Sequence, residues 1–219
     1  MRKIIKRMEE ELELELTEKN IDTEEEDMVN EADFMNMIME EINSKTLNIV
    51  GNFDENMVKY VRAFTNSLWY YDADEKRPLY VNITSRGGEA DALFAILDML
   101  DYCKEEWGCK IITTCDGYAQ SCGFILWCYG DERYMGRHGE VMCHTISYGM
   151  NGFVFDHDCE LRRSKKIQAK IDNIITSHTP LTQKQLNKWY RTGYDKFIDY
   201  EEANKLGLIT VKNDEDNGQ

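Results

Sequence analysis

The chain has 219 residues, 42% of them apolar and 11% aromatic, enough for one sizeable core and little more. Its formal net charge of −15, with no basic block interleaved with aromatics, leaves little of the counterion release that drives nucleic-acid binding. No apolar run approaches the roughly 20 residues of a membrane span, and the opening MRKIIKRMEEELELELTEK turns acidic before any apolar signal core appears, so a cytoplasmic chain without nucleic-acid or membrane partners is expected.

Residues 1–45 contain 15 acids and 6 bases, a net −9, against only −6 for the remaining 174 residues. ELELEL at 11–16 alternates like a strand, while Ile5, Met8, Leu12 and Leu16 share a helical spacing. We read 1–28 as an acidic N-terminal extension, mobile or ordered by a partner. Thr23 with Glu26 has the form of a capping box, and Val29, Ala32, Met35, Met39 and Ile42 follow as an apolar helical stripe. The main domain is expected over 29–212, with 213–219 a disordered acidic tail.

From Leu47 onward strands and helices alternate. TLNIVG reads as a strand, Asp54 caps a helix running to about Tyr71, LYVNIT at 79–84 is a strand, SRGG a tight loop, and 89–105 a helix. KIITTC at 110–115 is a further strand, DGYAQSCG a glycine turn, GFILWC the start of a buried helix, EVMCH a strand, and about 155–177 a long helix. Repeated strand–helix units with short connections predict an α/β fold with a mainly parallel sheet covered on both faces. In such sheets ligands gather at the carboxyl ends of the strands, where both glycine turns fall. Neither GxGxxG nor GxxxxGK[ST] occurs, so a nucleotide cradle is absent. Seven cysteines, an odd number with no CxxC spacing, read as reduced core residues with no metal site, and no cofactor is expected.

Two residues could carry chemistry. Ser121 lies where a strand turns into a helix, between Gly117 and Gly123, with helix amides directed at any group reacting there. Taken alone, it could equally be a plain N-cap. A serine nucleophile needs a base. His138 lies in the polar turn GRHGE, His157 in a charged helix and His178 near a helix end, whereas His144 ends the run EVMCH in apolar company. It is either a satisfied core histidine or that base.

In order, VNITSRGGEADALFAILDML, CDGYAQSCGFILWCYGDERYMG, EVMCH and GYDKFIDYEEANKLGLI resemble the INSPGG, GQAASMG, MIH and DRF…EAxxxGL segments of ClpP, the proteolytic subunit of the Clp protease, over about residues 47–209. The resemblance implies the ClpP/crotonase-like fold, a repeated β-β-α superhelix with a protruding handle helix. It also implies a serine endopeptidase with Ser121 as nucleophile, His144 as general base, Asp195 as the orienting carboxylate, and the amides of Gly88 and Cys122 as oxyanion hole. Gly87, Arg86 and Thr145 would border an extended substrate peptide. A heptameric or tetradecameric homo-oligomer acting on unfolded protein, fed by an AAA+ unfoldase, is implied as well.

Cys122, the neighbouring alternative nucleophile, is read as a packing residue, and Asp199, the alternative third member, as the N-cap of YEEANKLG. Arg86 replaces the family's proline, Thr145 and Ile146 replace its glutamine and proline after the histidine, and the run RRSKK makes the handle helix basic. Beside this reading stand three others, the first suggested by the divergent acidic N-terminus and the second by the two glycine-loop amides that the related crotonase fold also uses. One is a phage-type enzyme that matures capsid or scaffold protein, one a crotonase-like acyl-CoA enzyme, and one a catalytically silent ring subunit.

Overall fold

The computed structural model describes residues 31–71, 77–149 and 151–211. The readings for 1–28, for the Thr23/Glu26 box with Val29, and for 213–219 lie outside the described residues. The chain separates into two compact units, 1–36 and 37–219, and the sheet, core and site described below belong to the second.

Helix α1 (Glu31–Ser44) leads into β1 (Thr46–Phe53), α2 (Glu55–Tyr71), β2 (Leu79–Gly88), α3 (Ala90–Trp107), β3 (Ile111–Gln120), α4 (Cys122–Tyr129), β4 (Glu132–Met135) and β5 (Glu140–Cys143). Then follow α5 (Val154–His178), α6 (Gln183–Tyr190), β6 (Lys196–Asp199) and α7 (Tyr200–Lys205). The sheet order is β1-β2-β3-β5-β6, with β4 also on β3. Every pairing is parallel except that of β5 with β6. The expected α/β architecture with its long helix is therefore present.

Leu79, Val81, Ile83, Ser85 and Gly87 alternate inward along β2, and Leu47 and Ile49 match them on β1. Period-two burial of this kind marks a sheet with one packed face. The opposite face carries Asn48 bonded to Asn82 at 3.0 Å, together with exposed Val50 and Tyr80. Cover on both faces, as expected from the parallel strands, is corrected here: among the described residues the polar positions of β1 and β2 leave that second face partly open. Helix α4 is buried at all eight positions, as a helix apolar on every side must be. Asp54 caps α2 by accepting from Met57 N at 2.9 Å, worth about 1 kcal/mol.

Two boundaries differ from the sequence reading in a way that matters for the site. SRGG is extended backbone at the end of β2, Asn52 pairing with Gly87 and Phe53 with Gly88 after a bulge. The segment DGYAQ likewise continues β3, where Ile83 faces Cys115 and Ser85 faces Ala119, so β3 holds two more residues than β2 over that step. Gly117, at φ 109°, accommodates the irregularity. Because of it β3 pairs first with β4, through Cys115 and Met135, and then with β5, from Tyr118 opposite Glu140. The two short strands lie end to end along one edge, joined by a turn closed by Gly139 N donating to Gly136 O at 2.8 Å.

Arg133 on β4 is buried and ties the C-terminal segment to the α4 end. Its Nε donates to Leu208 O and its Nη1 to Gly130 O, both at 2.7 Å, while Thr210 N and Val211 N donate to its carbonyl. Arg133→Met keeps the stem but orphans these buried acceptors. It should lower unfolding free energy by ~3 kcal/mol, read as a reduced urea midpoint at unchanged slope.

Candidate active site

Ser121 stands between β3 and α4 at φ 53° and ψ −117°, a left-handed conformation that costs a non-glycine residue about 1–3 kcal/mol. Neighbouring bonds enforce it: Ser121 N donates to Met142 O at 2.9 Å and Ile125 N to Ser121 O at 3.2 Å. The hydroxyl makes no capping bond. It lies instead 2.7 Å from His144 Nε2. Register explains the meeting, since Gln120 is opposite Met142 on β5 and one and two further residues bring Ser121 and His144 to the same strand ends.

The end of β2 completes this corner. A Cβ on Gly87, at φ 108°, would lie 2.6 Å from Ser121 Cβ, and one on Gly88 would lie 2.4 Å from Phe53 O. Only glycine permits either approach. Gly88 and the first helical residue, Cys122, are adjacent, with Cys122 Sγ donating to Gly88 O at 3.2 Å. The first amides of a helix have no acceptor within it, which leaves Cys122 N free of helical pairing beside Ser121. Burial pushes the Cys122 thiol up to about 11, and a buried thiol held by a carbonyl suits packing better than attack. All seven cysteines are free, and only Cys159 is exposed. Among the described residues no cluster of His, Cys, Asp and Glu could hold a metal ion.

The other expected site residues lie around this corner with differing engagement. Arg86 is exposed, its guanidinium 5.1 Å from the Tyr118 ring centre. Thr145, directly after His144, is exposed. Asp195 precedes β6, whose antiparallel register sets Lys196 opposite Cys143; one step further the register leads to Asp195 and His144. Its carboxylate, however, is at the surface, and among the described residues it makes no hydrogen bond and the His144 ring bonds Ser121 alone. Asp199 caps α7 by accepting from Glu202 N at 2.8 Å.

Several supporting residues escaped the sequence reading. Ser85 Oγ donates to Gly51 O at 2.6 Å and accepts from Gly87 N at 3.0 Å, so it fixes the glycine segment to the β1 bulge. Gln168 on α5 accepts from Ile146 N at 2.7 Å and donates to Asp172 at 2.8 Å, bracing the segment after His144 against the long helix. Nothing local marks either residue beyond the serine's place at the head of SRGG. A cavity of about 350 Å³ opens beside Ser121 and His144, between the start of α3, helix α4 and helix α5, with Ile125, Ile167 and Ile171 in its wall. The corner can thus present an activated hydroxyl to a carbonyl whose substituent enters an apolar recess.

The model of the Clp protease family matches residues 26–211. A curated relative, the ATP-dependent Clp protease proteolytic subunit 2 of Bacillus licheniformis, is 28% identical over 170 residues, which covers 77% of this chain and 85% of that protein. A match over most of the chain, containing every strand of the sheet and the corner where Ser121 meets His144, means that this protein belongs to the Clp protease family and is a ClpP-type peptidase.

Proposed function

We propose that the chain is a serine endopeptidase with Ser121 as nucleophile and His144 as general base. The contact that carries this reading is the 2.7 Å Oγ–Nε2 approach, made by a serine in a strained turn whose hydroxyl caps nothing. His144 takes the hydroxyl proton as Oγ attacks the peptide carbonyl. The amides of Gly88 and Cys122 receive the developing oxyanion. The imidazolium returns the proton to the departing amine, and water then releases the acyl group by the same path in reverse. Asp195 orients His144 in this scheme, supported by the strand register that leads to both residues. The exposed ends of β2 and of the segment after His144 suit an extended substrate bound by backbone pairing, with Gly87, Arg86 and Thr145 along its path.

A groove of such low selectivity needs enclosure, which a homo-oligomeric ring, heptameric or tetradecameric, provides. Phe153, Val154 and Phe155 at the tip of α5 are 84%, 87% and 72% exposed, an apolar patch suited to association with further copies. Unfolded polypeptide is the substrate in this reading, delivered by an ATP-driven unfoldase, a role compatible with the ATP dependence in the relative's name. The paired serine and histidine favour peptide hydrolysis over acyl-CoA chemistry at the same fold corner.

Ser121→Ala and His144→Ala should each lower casein hydrolysis by at least ~10³-fold, and Ser121→Ala should abolish labelling by a fluorophosphonate probe; retained labelling of that variant would refute the nucleophile. Asp195→Asn should reduce kcat by about 10⁴-fold with the fold intact by circular dichroism, and near-normal turnover would remove Asp195 from the mechanism. Gly87→Ala, which drives a methyl group against Ser121 Cβ, should slow probe labelling by about 10²-fold without loss of helical signal.

A further inference from the structure

The cavity beside Ser121 has an uneven lining. Ile125, Ile167, Ile171 and Ile175 give it apolar walls, and Ser164 of α5 shares that lining. Ser164 is 4% exposed, and its hydroxyl is buried without any hydrogen-bond partner among the described residues. Helical serines ordinarily satisfy themselves on the carbonyl one turn back; this one does not. An unpaired hydroxyl in an apolar wall is costly unless something supplies a partner.

Resting on the peptidase reading above, we propose that Ser164 is a specificity-determining residue. The cavity would take the substrate side chain on the acyl side of the scissile bond and favour one with an apolar stem and an uncharged hydrogen-bonding tip, such as glutamine. The acyl side is assigned because the cavity is walled by Gly88, Glu89, Ala90 and Asp91, the chain that continues directly from the proposed oxyanion amide, while Ser121 holds the acyl carbonyl. The tip is uncharged because a buried charge demands a full counter-charge. Arg163, the cation at this cavity, is already paired with Asp91 and Glu160. A purely aliphatic side chain would fill the recess and leave the hydroxyl unpaired. A glutamine amide both donates and accepts, so it meets a rotating hydroxyl in either sense.

Fluorogenic peptide amides identical except for glutamine or norleucine before the scissile bond isolate this hydrogen bond. The full-length wild type should favour glutamine in kcat/KM by ~5- to 30-fold. Ser164→Ala should erase or reverse that ratio by improving norleucine turnover, and Ser164→Thr, which keeps the hydroxyl, should retain it. Fluorophosphonate labelling of Ser121, run in parallel on each variant, reports the reactive serine independently of the cavity. Labelling with equal turnover of the two peptides, or a glutamine preference that survives Ser164→Ala, would overturn the role of Ser164 and leave the peptidase reading standing. Absence of both labelling and turnover in the assembled wild type would overturn the two together.

Discussion

The donation of Ser121 N to Met142 O is the constraint on which the site depends. It is the last contact between β3 and β5, and it fixes the chain as it leaves one strand for a helix and the other for the segment carrying His144. Without it, nothing obliges a serine to occupy the left-handed region, and two residues separated by 23 positions would have no reason to share a hydrogen bond. A backbone interaction thus sets the geometry of a side-chain pair, and the strain at Ser121 is sustained by a well-packed corner.

That corner requires an irregular sheet. The two extra residues in β3, absorbed at Gly117, allow one strand to serve β4 and then β5 in succession. A regular strand would keep a single partner, and the C-terminal half of β3 would lose the edge that brings His144 within reach. Arg133 consolidates the same region by joining β4, the end of α4 and the C-terminal segment through buried carbonyls.

Much of this was legible in the sequence because it is local. Alternation in LYVNIT, the unbroken apolar run of α4 and the cap at Asp54 each depend on a few neighbouring residues, and all appear as expected. SRGG and DGYAQ read locally as turns because glycine serves bulged strands as readily as loops, and the difference lies in pairing partners 22 to 35 positions away. The open second face of the sheet had the same cause: Asn48 and Asn82 look unremarkable until they meet across β1 and β2. Ser121 and His144 could be singled out by type and setting, whereas Ser85, Gln168 and Ser164 act through contacts that no local spacing records. For Asp195 only the resemblance singles out the residue; it stands just before β6, one register step from His144, and its carboxylate makes no hydrogen bond with a described residue.

The distribution of thiols gives the protein an unplanned practical property. Six cysteines are sealed in the core, and Cys159 alone lies exposed on α5, a few residues from the apolar tip at Phe153–Phe155. A maleimide dye or nitroxide added to the native chain would therefore attach at one place without any engineering of the others. Its fluorescence or spin–spin broadening would report when that end of the helix becomes covered by another molecule.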